Sequence, residues 1–149
     1  MPRVSDSYDE IRNLLATYCE LMDAGDWEGL ADLFADAVLS DFEGHEAARG
    51  RDGVLRMYRD GTQTYDGSPR TRHLTPNSVI EVDEAAGSAT ARSSFVVFQS
   101  TDKLCLQPIA AGRYRDEFAK RDGRWRFTAR AFSLDQTGDL SQHLRWAAH

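Results

Sequence analysis

An α+β fold, with N-terminal helices laid over a mostly antiparallel sheet around a cavity, is what this chain predicts, and three observations predict it. The first is a late stretch, Ala111 to Leu134, AGRYRDEFAKRDGRWRFTARAFSL, that reads as two long strands about a tight turn at Asp122-Gly123. Both central positions of such a turn want φ > 0, which Gly adopts at little cost. Tyr114 and Phe118 share one parity before the turn, and Trp125 and Phe127 share one after it, so one face of the hairpin is apolar and must be covered. The second observation is that helical periodicity is confined to the first sixty or so residues. The third is the strand around Phe95, Val96, Val97 and Phe98, apolar on both faces, as expected with a cavity on one side and helices or a partner subunit on the other.

The elements follow in order. Ser7 and Glu10 are spaced as a capping box, and Ile11, Leu14, Leu15, Tyr18, Leu21 and Met22 then fall on one helical stripe. Gly25 ends that helix, and Asp26 caps a shorter one carrying Trp27, Leu30, Leu33 and Phe34. Val38, Ser40 and Phe42 alternate with Leu39, Asp41 and Glu43 as a short strand closed by Gly44, and a third helix is predicted from Asp52 to Arg59 with Val54, Leu55 and Tyr58 inward. Gly61 to Pro69 is turn chemistry without periodicity, a loop long enough to serve as a lid. Pro76 argues against an uninterrupted central strand across Arg70 to Asn77, so strands are predicted at Ser78 to Val82 and Ser88 to Ser100. Pro108 and Gly112 mark a bulge or bend where the chain enters the hairpin, and Leu140, Leu144 and Trp146 make the tail apolar enough to dock.

Composition bounds the function classes. At 149 residues the chain is expected to form a single domain, 1–149, burying about two thirds of the surface its unfolded form exposes. No apolar run approaches the roughly 20 residues of a membrane helix, and the N-terminus lacks a signal-like apolar region, so a cytoplasmic location is expected. Cys19 and Cys105 have no metal-ligand or disulfide-framework spacing and are expected to be reduced. A net charge of −6 argues against nucleic-acid binding. Seven Lys or Arg face three Asp or Glu between residues 113 and 130, but most of the basic residues share the solvent parity of the hairpin. Phosphate-binding glycine loops, nucleophile elbows and dinucleotide fingerprints are absent. Glu43, His45 and Glu46 come nearest to a metal cluster but fit a solvated turn as well, so neither metal nor cofactor is expected.

What remains is polar groups in apolar surroundings. Tyr18 lies within the buried stripe of the first helix, where its hydroxyl needs a partner or a cavity. Asp23 sits in the last turn, where the helix macrodipole disfavours a carboxylate, so something should compensate it. Spacing alone also fits Asp23 as a solvated turn residue and His73 as a satisfied core histidine. Strict alternation from Trp125 puts Arg130 on the outer face unless a bulge intervenes.

YCELMDAGDWEGLADLF from Tyr18, TRHLTPNSVI from Thr71 and GRYRDEFAKRDGRWRFTAR from Gly112 carry a resemblance covering nearly the whole chain. It resembles the SnoaL-like branch of the nuclear transport factor 2-like superfamily. That group includes scytalone dehydratase, bile-acid 7α-dehydratase, a hexachlorocyclohexane dehydrochlorinase, ketosteroid isomerase and the non-catalytic β subunits of ring-hydroxylating dioxygenases. The resemblance implies a cone-shaped barrel, with about three N-terminal helices on a strongly curved sheet. It also implies an aspartate–histidine dyad at Asp23 and His73, a catalytic tyrosine at Tyr18 and a late-strand arginine at Arg130. The chain departs from the dehydratases at Phe95 to Phe98, where they carry a polar residue, which favours a bulky apolar substrate.

Two functions are carried forward. One is a cofactor-independent acid/base lyase, dehydratase or isomerase acting on a small alicyclic, aromatic or steroid-like molecule lined by Trp27, Phe42, Tyr58, Phe95, Phe98 and Tyr114. The other is a non-catalytic ligand-binding or dioxygenase β-type subunit. Either is expected to assemble as a homodimer or homotrimer, because three short helices cannot cover both faces of the sheet.

Overall fold

The first helix, α1, spans Ser7–Ala24 and starts from a different cap than the capping box predicts: Asp6, in extended conformation, accepts a hydrogen bond from the Asp9 backbone N–H at 2.9 Å. Ser7 is thereby drawn into the helix and buried, one residue later than a capping role would place it. At the far end Gly25 takes the left-handed conformation, and Asp26 caps α2 (Trp27–Leu33) by accepting from Gly29 N–H at 2.8 Å.

The computed structural model describes residues 6–148. Among them, α1 and α2 are followed by β1 (Val38–Asp41), β2 (Glu46–Arg49), α3 (Gly50–Gly61), β3 (Thr71–Asp83), β4 (Ser88–Thr101), β5 (Leu104–Arg121) and β6 (Arg124–Thr137), with a short 3-10 turn at Arg145–Ala147. The strands form one sheet in the order β2-β1-β6-β5-β4-β3, antiparallel except where β1 runs parallel to β6. Strand β2 is an element that periodicity does not reveal, because its four residues, EAAR, carry no apolar alternation. Helix α3 extends two residues beyond the predicted span at each end.

The main core lies between α1, α2 and the sheet, where Ile11, Leu15, Leu30, Phe34, Phe118 and Phe127 are buried together. A second cluster, Val97, Leu104, Ile109, Ala110 and Leu140, joins the far end of the sheet to the C-terminal tail. The hairpin turn is as expected: Asp122 and Gly123 both have positive φ, at 52° and 77°.

Three register irregularities decide where side chains point. In β3, Leu74 pairs with Val96 and Asn77 with Ser94, so Thr75 and Pro76 together oppose one residue of β4. The strand therefore runs through Pro76, against the sequence expectation, because β3 is a sheet edge and the proline sits in a bulge where no ladder hydrogen bond is lost. At Gly112 the register of β5 shifts against β6, and a Cβ there would lie 1.9 Å from the Ser133 carbonyl oxygen and 2.8 Å from the Phe95 ring. Only glycine permits that approach. Finally, Phe118 pairs with Phe127 but Glu117 pairs with Ala129, which leaves Thr128 as an extra residue in β6. Parity inverts across it, so Arg130 points inward, 1% exposed, alongside Phe127.

Candidate active site

A cavity of about 350 Å³ opens between α1, α3, the inner face of β3 to β6 and the C-terminal tail. Its wall is largely apolar, with Met22, Met57, Val97, Phe132, Leu140 and Leu144 among the lining residues. Its polar groups include Tyr18, Tyr58, Thr62, Tyr114, His73, Arg130 and His143. That volume lies within the ordinary range of small-molecule sites.

At one side of the cavity the end of α1 meets the start of β3. The Asp23 carboxylate accepts from the His73 backbone N–H at 3.0 Å to each oxygen, from Thr71 Oγ1 at 3.0 Å, and contacts His73 Nδ1 at 2.6 Å. These donors are the compensation that an aspartate at a helix C-terminus requires. An ionised carboxylate can only accept, so the nitrogen facing it is Nδ1–H, and in the neutral ring the lone pair then lies on Nε2. The His73 side chain is 5% exposed and that of Asp23 17%. Burial alone suits a packed histidine, but a packed histidine does not need a carboxylate held by three further hydrogen bonds.

Deeper in the cone, Arg130 donates to Asp116 through Nε at 2.7 Å and Nη2 at 3.1 Å, and both side chains are sealed from solvent. The guanidinium is packed among aromatic faces, with its central carbon 3.7 Å from the Tyr114 ring centroid and 4.4 Å from that of Tyr18. Burial raises the Asp116 pKa, with Arg130 opposing. Burial alone would lower that of Arg130, yet Asp116 and the neighbouring tyrosines push it up instead. These directions disagree about the charge on Asp116; the two-point geometry and a guanidinium that keeps its proton identify an ionised pair. Arg130 Nη1 is buried without a hydrogen-bond partner.

Tyr18 is 5% exposed and its ring meets His73, Tyr58 and Tyr114 at centroid distances of 6.0, 6.4 and 5.9 Å. Burial holds its phenol well above the ordinary tyrosine range; Tyr114 adds to this and Arg130 opposes it. The hydroxyl therefore stays protonated, with Tyr58 and Tyr114 as its hydrogen-bonding neighbours.

Of the predicted aromatic lining, Tyr58, Phe95 and Tyr114 border the cavity. Trp27 does not; it stacks behind Tyr58, with centroids 6.5 Å apart and rings 5° from parallel. Phe42 follows β1 onto the outer surface, where the guanidinium carbons of Arg115 and Arg113 lie 4.1 and 5.0 Å from its ring centroid. Phe98 shares neither the cavity nor the parity of Val97 and Gln99, whose side chains are buried inward. Apart from Arg130, the basic residues of the hairpin are surface charges, several of them paired: Arg113 with Asp135, Arg121 and Arg126 with Asp36, Lys120 with Glu84. In place of Glu43, His45 and Glu46, the potential ligand atoms that lie close together are those of Asp41, Glu43 and His45, while Glu46 is engaged by Arg49. His45 and Glu43 are exposed, and Asp41 already accepts from the His45 backbone and ring.

Asp116, Thr71 and His143 were not singled out by sequence pattern. Asp116 did leave a signal, since it shares the apolar parity of Tyr114 and Phe118. Thr71 and His143 left none, because their positions depend on how α1 meets β3 and how the tail folds back.

A SnoaL-like domain model matches residues 3–131. Among solved structures, a function-unknown protein from Mycobacterium tuberculosis, studied as an aspartate-to-asparagine variant, is 30% identical, with a TM-score of 0.67 over 85% of this chain and 75% of that one. A protein assigned as a scytalone dehydratase from Novosphingobium aromaticivorans is 27% identical, with a TM-score of 0.68 over 89% of this chain and 86% of that one. LinA is 20% identical, with a TM-score of 0.68 over 87% and 86%, a likeness of fold alone. No helix among the described residues is long and apolar enough to cross a membrane. With the family model spanning most of the chain, the protein belongs to the SnoaL-like domain family.

Proposed function

We propose that this protein is a cofactor-independent acid/base enzyme that eliminates water or another leaving group from a small hydrophobic molecule, or shifts its double bond, with His73 as the base. The observation that carries this reading is the 2.6 Å contact between His73 Nδ1 and a compensated Asp23 carboxylate in the wall of an apolar cavity. With Nδ1–H committed to Asp23, Nε2 is free to take a proton from a carbon next to a carbonyl or a leaving group. The C–H electron pair passes into a developing enolate or directly into the new C=C bond. It then expels the leaving group, or is reprotonated at another carbon in an isomerisation. Asp23 stabilises the imidazolium that results, as an amide cannot. Tyr18 donates to the oxygen on which charge develops, and the spare N–H of Arg130 supplies positive potential there in a site that excludes water. Support also comes from the assigned activity of the Novosphingobium relative.

The test is a screen of alicyclic and aromatic hydroxyketones and their unsaturated products, followed by His73→Ala on whichever turns over. Loss of kcat by about 10²- to 10⁴-fold with an unchanged fold is expected. Retention of full per-molecule turnover would refute His73 as the base.

A further inference from the structure

A second imidazole borders the same cavity and has no part in the chemistry above. His143 comes from the C-terminal tail, is 5% exposed, and its ring centroid lies 6.0 Å from that of His73. Its Nδ1 is buried without a hydrogen-bond partner.

The backbone around it is tied down on both sides. The His143 carbonyl accepts from Gln63 N–H at 2.8 Å, Gln63 Nε2 donates to the carbonyls of Ser141 and Leu144, and Tyr65 Oη and Gln99 Nε2 both donate to that of Gln142. The imidazole is therefore held at the cavity wall by its own backbone.

We propose that His143 recognises a ligand hydroxyl, so that the site takes alicyclic or aromatic alcohols in preference to their hydrocarbon analogues; this rests on the cavity being the ligand site. A buried nitrogen without a partner costs free energy that a ligand group can recover. Which group fits follows from the charge on the ring. Burial pushes the His143 pKa down to about 4, with His73 adding to this and Asp23 opposing, so the imidazole is neutral near pH 7. A neutral imidazole presents either N–H or a lone pair at Nδ1. A hydroxyl both donates and accepts and satisfies either tautomer, whereas a carbonyl, ether or halide satisfies only one, and an alkyl group neither. A carboxylate, like a carbonyl, only accepts and so fits one tautomer alone.

The experiment is isothermal titration of the full chain with 1-indanol and with indane, a pair differing by one hydroxyl, for wild type, His143→Leu and His143→Asn. Leucine is expected to weaken 1-indanol by roughly five- to tenfold while changing indane by less than about twofold. Asparagine, whose amide reaches the position of Nδ1, is expected to keep most of the alcohol preference. The inference is overturned if leucine leaves the ratio of the two affinities unchanged, if asparagine loses the preference as fully as leucine does, or if neither probe binds the wild type. Binding needs no turnover, so the outcome is separable from the dyad: full activity in His73→Ala together with a lost alcohol preference in His143→Leu would remove the base and keep the recognition.

Discussion

Two pairs, each built on a carboxylate, lie in the same cone and differ in how they meet solvent. Arg130 and Asp116 are 1% and 0% exposed, fixed by two parallel hydrogen bonds and enclosed by aromatic rings. His73 and Asp23 are 5% and 17% exposed, at the boundary between cavity and surface. A sealed pair cannot exchange protons on the timescale of turnover without opening the core, so it serves as a fixed source of potential. A pair at the boundary can pass its proton onward. The difference teaches that two buried pairs of similar geometry can differ in access, and access is what proton transfer requires.

The largest effect should come from breaking the sealed pair. Arg130→Met leaves Asp116 buried and uncompensated and is expected to cost about 3–5 kcal/mol of stability by chemical denaturation, while Arg130→Met with Asp116→Leu should recover most of the loss. A single variant as stable as wild type would show that the pair is not desolvated as described. Next in size is an acid effect at the open side. The folded-state pKa of His143 is about 4 and its unfolded value about 6.5, so between those values the unfolded chain binds the extra proton and stability falls as pH falls. Above about pH 6.5 this contribution is constant, and the full loss, reached below about pH 4, is roughly 3 kcal/mol. His143→Leu should lose less stability than wild type on going from pH 7 to 4.5; equal losses would mean that the ring is charged in the native state. The smallest stability change is expected for Asp23→Asn, about 1–2 kcal/mol, since the amide carbonyl still accepts some of the donors. Its activity should nevertheless fall nearly as far as that of His73→Ala, which separates positioning of the base from support of the fold.

The fold was legible because local signals agreed. The apolar stripe of α1, the Gly25 and Asp26 caps and the Asp122-Gly123 turn each reproduce a short-range rule, and short-range rules survive folding. Asp23 and His73 were legible through resemblance more than through pattern, since fifty residues separate them and no spacing rule joins them. The lining was legible where strand parity holds, as at Tyr114, and failed at Phe42 and Phe98, whose faces depend on where β1 ends and which side of β4 the cone encloses. Pro76 misled because a proline excluded from a central strand is welcome at the bulged edge of a sheet.

Thr128 contributes no atom to the cavity wall, yet it governs what the wall contains. Flatten the bulge while keeping Thr128 in the ladder and strict alternation resumes: Arg130 and Phe132 turn to the outside, and the alanines at 129 and 131 replace them within. The cone would then be lined by methyl groups where it now holds a cation, with no substitution at any lining position. In this architecture the reactivity of the interior is thus encoded in strand register as much as in residue identity, so that the presence or absence of a single bulge in β6 decides whether the scaffold holds an electrostatic centre.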